Sequence, residues 1–337
     1  MRKIAFICYP SSSFVMQDYE ILSKHFSVEK VYFRQPKDVL HMIAPIWRSD
    51  LSFSWFASGH SFAAVLFSRI LGKRSIVVAG GYDVAFEPEI DYGQYTLKWH
   101  KRKYADFVLR YADAILAVSE FTKGEVMARF KTEKVEVIYN GIDMDKFRPK
   151  GNKENLVITV ASGSGNVIRL KGLDAFVKAA GYHPKIQFLV LGLSEADKKS
   201  LSSCCPSANV DLRGQVSQEE LIGHYQKAKV YCQLSYRESF GFALAEAMAC
   251  GCVPVVTRRG ALPELVGDTG YFVPYADPEA TAVAVQKAIG SSDRIGARRR
   301  IETRFSLKIR EGCLLMKLQR DNYKCNLGSP GKRQSEA

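Results

Sequence analysis

The sequence predicts an α/β protein built from two open parallel-sheet domains that face each other across a cleft. Three observations carry this expectation. Short apolar runs rich in β-branched residues alternate with helical patterns, and continuous apolar runs of that kind belong to strands covered on both faces. The pattern restarts after residues 148–155, a polar segment with Pro, Gly and many charges, which reads as a domain boundary. The chain has 337 residues, too many for one domain of about 150.

Taken in order, the first set of runs covers residues 4–8, 75–79, 114–118 and 135–139. The first of these follows Met1-Arg2-Lys3 and reads as a strand: its apolar stretch is too short for a signal peptide, and no small-residue cleavage site follows. The second set covers 157–161, 188–191, 230–234 and 253–257. This organisation gives an N-terminal domain at 1–150 and a C-terminal domain at 151–303. Phe305, Leu307, Ile309, Leu314, Leu315 and Leu318 alternate with basic groups, as in an amphipathic helix, so 304–325 is expected to cross back onto the N-terminal domain. Residues 326–337 are polar and are expected to be a disordered tail.

Composition excludes several classes. With 47% apolar and 25% charged residues the chain is ordinary globular protein. No run reaches the roughly 20 apolar residues that cross a bilayer. The eight cysteines show no C-x-x-C and no zinc spacing, which points to reduced thiols and a cytoplasmic location. The net charge is +13, concentrated in the last 44 residues, with twelve Lys/Arg against four Asp/Glu, and in Lys98-Trp99-His100-Lys101-Arg102-Lys103. Either cluster suits an anionic membrane surface or an anionic substrate, while solvated helix faces are the plain alternative. Nucleic acid is not expected as a partner.

The chemistry is concentrated in residues 235–256. A strand ends near Leu234, a loop carries Glu238, a helix begins around Gly241, and Gly251 ends it. Within that helix Glu246 is surrounded by Ala243, Leu244, Ala245, Ala247, Met248 and Ala249. A carboxylate in such a setting needs a partner, either a core cation or two adjacent hydroxyls such as a ribose diol. The N–H groups of Phe240 and Gly241, beside Ser239, lie at the helix N-terminus, where a diphosphate is favoured. Glu238 would then face a sugar, with a helix-capping role as its alternative.

At these residues the chain resembles the retaining glycosyltransferases of family 4, whose mark is a Glu, seven residues, and a second Glu: here Glu238 and Glu246. The surrounding sequence, E-S-F-G-F-A-L-A-E-A-M-A-C-G-C-V-P-V-V followed by G-A-L-P-E at 260–264 and G-D-T-G-Y-F-V at 267–273, makes the likeness specific. It implies the GT-B fold, two Rossmann-like α/β domains with parallel sheets facing across a cleft, and the same crossing by the C-terminal helix. It also implies that Glu238 contacts the donor sugar and Glu246 the nucleotide ribose. Leu170-Lys171-Gly172-Leu173-Asp174 resembles the family's donor-phosphate lysine motif, and residues 209–216, with Arg213, resemble the segment beside the nucleobase. The chain departs from the family at 163–166, where Gly163 and its neighbours replace an expected Arg, leaving Arg169 as the substitute. It departs again at residues 9–13, where serines replace a glycine-rich loop.

In the first half, Asp83 ends a strand that would face the cleft and could orient an acceptor hydroxyl or cap the next turn; His60 is a second, more often structural, candidate. The resulting expectation is a sugar transfer from a nucleotide-diphosphate sugar to a glycan or lipid-linked acceptor, with peripheral contact to an anionic membrane, no metal and no cofactor beyond the donor. Glu238, Lys171 and Asp83 are the catalytic candidates. Glu246, Arg169, Ser239, Phe240, Gly241, Arg213 and Gly163 are the donor-binding ones. The rival readings are an epimerase or hydrolase on the same fold, and a non-catalytic basic binding protein.

Overall fold

A computed structural model describes residues 1–10, 13–161, 166–204, 208–291 and 294–324. Gly163 and residues 326–337, which carry two of the expectations above, lie outside them. Twelve described strands form two sheets of six, every pairing parallel. The first has order β2-β1-β3-β4-β5-β6, and comprises β1 (Lys3–Cys8), β2 (Ser27–Tyr32), β3 (Leu51–Trp55), β4 (Arg74–Ala79), β5 (Ala114–Ala117) and β6 (Val135–Val137). The second has order β12-β11-β10-β7-β8-β9, from β7 (Glu154–Val160), β8 (Gln187–Leu191), β9 (Val210–Leu212), β10 (Ala228–Gln233), β11 (Val253–Thr257) and β12 (Tyr271–Val273). Helices cover both faces of each sheet, which is why the central strands are buried almost throughout.

Two strands of the first sheet, β2 and β3, fall outside the apolar runs of the sequence. β2 lies at the sheet edge and reads Ser-Val-Glu-Lys-Val-Tyr, with only Val31 buried. β3 reads Leu-Ser-Phe-Ser-Trp and is buried along its whole length, so its serines are core residues; Ser52 Oγ is satisfied by Ser68 Oγ at 2.8 Å. A hydroxyl paired with a hydroxyl is tolerated there at little cost.

The helix Leu307–Lys324 lies against the first sheet's side of the molecule. Arg310, 3% exposed, donates to both carboxylate oxygens of fully buried Asp18 (2.6 and 2.7 Å) and to the carbonyls of Ile138 and Tyr139. Asp18 in turn accepts from Trp55 Nε1 at 3.0 Å. Glu311 meets His25 and Lys317 meets Glu136, while Leu314 and Leu318 are buried. The entry to this helix is fixed by a parallel bridge between Ile142 and Ser306, and a Cβ on Gly141 would lie 2.6 Å from the Leu307 Cα. Glycine at 141 is therefore what lets the two backbones approach.

The candidate active site at the carboxyl end of the second sheet

β10 ends at Gln233 and the helix Phe242–Ala249 begins after Gly241, whose φ is +95°. The helix ends with the N–H of Gly251 donating to Met248 and that of Cys252 to Ala247, with Gly251 at φ +83°, the left-handed glycine stop that the sequence indicates. The intervening loop holds Glu238 and is squeezed from two sides. A Cβ on Gly172 would come within 2.1 Å of the Leu234 carbonyl oxygen, and one on Gly260 within 2.1 Å of the Glu238 carbonyl oxygen. Backbone bonds complete the grip: Tyr236 N–H to Leu170 O and Ala261 N–H to Glu238 O, both 2.8 Å.

That grip brings Lys171, at the end of the short helix Val167–Lys171, onto Glu238. Nζ lies 2.9 Å from Oε2, and each side chain is 17% exposed. Gln233 Nε2 also reaches Oε2, at 3.3 Å, and is itself held by Ser235 and by Tyr231 through its other amide atom. Glu246 is different. Among the described residues its side chain receives a long contact from the Tyr225 hydroxyl, 3.4 Å, and forms no ion pair. Burial pushes its carboxyl up to about 7, against smaller opposing effects of Tyr225 and Lys146. The acceptor-only pairing capacity of this carboxylate is thereby open to a donor from outside.

The N–H groups of the loop and first turn, from Ser239 to Leu244, have no acceptor among the described residues, and they surround the positive end of the helix. Phe240 itself is 4% exposed and anchors the loop by packing on Phe242 and Phe305. Ser239 Oγ accepts from Arg237 at 3.0 Å.

Among the described residues, neither of the two other cations named from the sequence shares a hydrogen bond or ion pair with the Lys171–Glu238 pair. Arg169 is exposed, and its carbonyl accepts from the Tyr275 hydroxyl. Arg213 is paired with Asp211 at the surface, 2.7 Å, while its main chain is knitted to Val190 and Leu193.

On the opposite wall, Asp83 is 1% exposed. Its two oxygens accept from the N–H groups of Ala57 and Gly81, both at 2.7 Å, so it ties together the segments that follow β3 and β4. Burial raises its pKa and these backbone donors oppose the rise. His60 is fully buried, held by the Trp55 carbonyl at 2.6 Å and Ser58 Oγ at 2.9 Å, and burial lowers its pKa to about 4. It is a neutral structural imidazole at physiological pH.

Arg237, which the sequence motifs do not single out, proves central. It is 4% exposed and reaches from the Glu238 loop into the first half of the chain, contacting Glu125, the Gly81 carbonyl (3.2 Å) and Glu87 (3.4 Å). Burial pushes Glu125 up to about 7 even with Arg237 pulling the other way. Glu264 makes a second bridge, accepting from the N–H groups of Glu120 and Phe121 at the start of the helix Glu120–Arg129 and from the Tyr139 hydroxyl. A Cβ on Gly81 would strike Ser239 Oγ at 1.9 Å, so the two halves meet beside Glu238. The signal in the sequence for Arg237 is its place directly before Glu238; for Glu264 it is the G-A-L-P-E segment.

Two parallel six-stranded sheets facing across a cleft, with a carboxylate pair on the strand-loop-helix unit of the second, define the GT-B glycosyltransferase architecture. Residues 143–304 match the family described as Glycosyl transferases group 1, and residues 28–146 match Glycosyltransferase Family 4. The chain belongs to the family 4 glycosyltransferases. It is 27% identical over 248 residues to a subunit of the phosphatidylinositol N-acetylglucosaminyltransferase of Arabidopsis thaliana, covering 68% of this chain and 53% of that protein. It is 30% identical over 181 residues to a phosphatidyl-myo-inositol mannosyltransferase of Mycobacterium tuberculosis, covering 50% and 47%. The chain thus spans about half the length of the curated relatives it matches. Among solved structures, Anabaena HepE in complex with UDP and glucose superposes with a TM-score of 0.78 at 18% identity, over 95% of this chain and 100% of that one.

Proposed function

We propose that the protein transfers a sugar from a nucleotide-diphosphate sugar to a glycan or lipid-linked acceptor, with retention of anomeric configuration and without a metal ion. The observation that carries this reading is the weakly paired state of Glu246 next to the Lys171–Glu238 pair: one carboxylate is ready for a diol, and a cation stands beside a helix N-terminus. In this reading Glu246 receives the ribose hydroxyls. The N–H groups from Ser239 to Gly241 and Lys171 receive the diphosphate, offsetting the charge that develops as the glycosidic bond breaks. Glu238 faces the donor sugar. Asp83 acts as a positioning residue that fixes the acceptor wall. The exposed side chains of Lys98, Lys101, Arg102 and Lys103, with Trp99 73% exposed, suit peripheral contact with an anionic membrane.

The test is incubation of the purified chain with a panel of nucleotide-diphosphate sugars, with and without acceptor preparations, followed by mass spectrometry of products. Acceptor-dependent glycosylated product that disappears in Glu238→Gln supports the proposal. Free sugar or an epimerised nucleotide sugar formed without acceptor would replace it by the hydrolase or epimerase reading.

A further inference from the structure

A cavity of about 840 Å³ occupies the first half of the chain, walled by segments that follow the carboxyl ends of its strands: Tyr9 after β1, Phe33 after β2, Phe56 after β3 and Tyr82 after β4. Open α/β sheets take their ligands at that end. The floor is the helix Gly59–Ile70, which contributes Phe62, Leu66 and Phe67, and the outer wall includes Pro36 and Val39. Its inner end, at Tyr82 and Asp83, adjoins Gly81 and therefore the Ser239 contact beside Glu238.

Three polar side chains of the lining are spent on the protein itself, while the hydroxyls of Tyr9, Tyr82 and Tyr104 lie at its edges. Asp83 holds the N–H groups of Ala57 and Gly81, Gln94 Nε2 donates to the carbonyls of Ala57 and Lys101, and Ser58 Oγ is bonded to His60. Along the floor and outer wall, where Phe62, Leu66, Phe67, Pro36 and Val39 offer no polar side-chain atom, a polyhydroxylated chain would leave hydroxyls without partners, at a cost for each. A hydrocarbon would instead cover the aromatic and aliphatic walls. One side is cationic: His100 and Lys101 line the cavity at the start of the helix Trp99–Tyr111, flanked by the exposed Lys98, Arg102 and Lys103. Asp83 is the one acidic side chain in the lining.

We infer that the acceptor is an anionic amphiphile, whose hydrocarbon fills this cavity and whose phosphate-like group sits against Lys101 and His100. This rests on the glycosyltransferase reading and narrows it to one acceptor class. The floor and outer wall, which a lone glycan would need to be polar, are apolar, and the charge beside them has the sign that an anion requires.

The test uses titration calorimetry of the full chain with decyl phosphate below its critical micelle concentration, with decanol, with inorganic phosphate and, separately, with UDP. Decyl phosphate is expected to bind one per chain, at least tenfold tighter than decanol or inorganic phosphate. Leu66→Trp, which fills the floor, should weaken it at least tenfold and leave UDP unaffected; Val39→Trp does the same from the outer wall should Leu66→Trp not fold. Lys101→Ser should weaken decyl phosphate but not decanol. No saturable binding of decyl phosphate, equal affinity in the filled variants, or inorganic phosphate binding as tightly would overturn the inference. UDP binding without decyl phosphate binding sinks the acceptor class and leaves the donor site standing; the converse pattern keeps the cavity assignment and sinks the donor site.

Discussion

The two walls of the cleft treat polar groups in opposite ways. On the second sheet's side, among the described residues, Glu246 receives a single long hydrogen bond and the helix N–H groups beside Glu238 have no acceptor. On the first sheet's side, Asp83 and His60 are fully engaged by main-chain groups and by Ser58, and beside them lies a cavity with an apolar floor and one cationic side. One wall keeps hydrogen-bonding groups available around a carboxylate pair; the other spends Asp83 and His60 on its own main chain and offers mainly shape. A deeply buried acid is thus no guide to catalysis until its partners are counted.

Substitutions at Lys171 and around Glu238 give the largest effect by which this contrast can be broken. Lys171→Ala removes the cation at the helix N-terminus and is expected to lower kcat by about 10²- to 10³-fold, the usual loss for one donor that stabilises developing charge. Steady-state kinetics decide it: an effect confined to KM would show uniform binding and remove Lys171 from the chemistry. Gly260→Ala should give a loss of similar size without touching a charged group. Its φ of +59° and a Cβ 2.1 Å from the Glu238 carbonyl oxygen force the loop to move. Retained activity in that variant would mean the loop position is not critical.

Asp83 sharpens the contrast from the other side. Asp83→Asn replaces one of two main-chain acceptors with an NH₂ donor facing a buried N–H. A loss of about 1–3 kcal/mol in stability follows, the cost of leaving a buried donor unpaired. Thermal unfolding should show it, with kcat reduced less than in Lys171→Ala. A kcat loss at unchanged melting temperature would place catalytic function on the first wall and dissolve the distinction between the two.

The fold class was legible because central parallel strands are apolar on both faces, as in residues 4–8 and 253–257. β2 and β3 are hidden for different reasons: one is a polar edge, the other buries serines that pair across the core. The Glu238–Glu246 unit could be read because one strand, one loop and one helix carry it. Arg237, Glu264 and the two pinching glycines, Gly172 and Gly260, depend on contacts between segments far apart in the chain, and local pattern holds no record of those. Arg169 stands two residues before Lys171, a spacing that puts the two side chains on different sides of a helix.

Glu246 supplies the smallest and most specific effect. Its folded-state pKa is raised from 4.5 to about 7 by burial, so the unliganded protein is relatively more stable below the unfolded value and loses that contribution as pH rises through about 7. Glu246→Gln removes the penalty of a buried charge. The unliganded variant should therefore melt higher than the wild type at pH 8, by an amount on the order of 1 kcal/mol or more, and differ little at pH 5. UDP binding should run the other way. A diol that donates to the carboxylate favours its ionised form, so wild-type affinity should fall as pH drops from 8 to 6, while the amide of the Glu246→Gln variant does not titrate. Because UDP's own phosphate titrates near pH 6, the informative quantity is the difference between the two proteins at each pH. That difference should shrink toward zero at low pH. A variant that binds UDP as tightly as the wild type at pH 8, and melts no higher without it, would show that Glu246 already has an internal partner and that the second wall is as self-satisfied as the first.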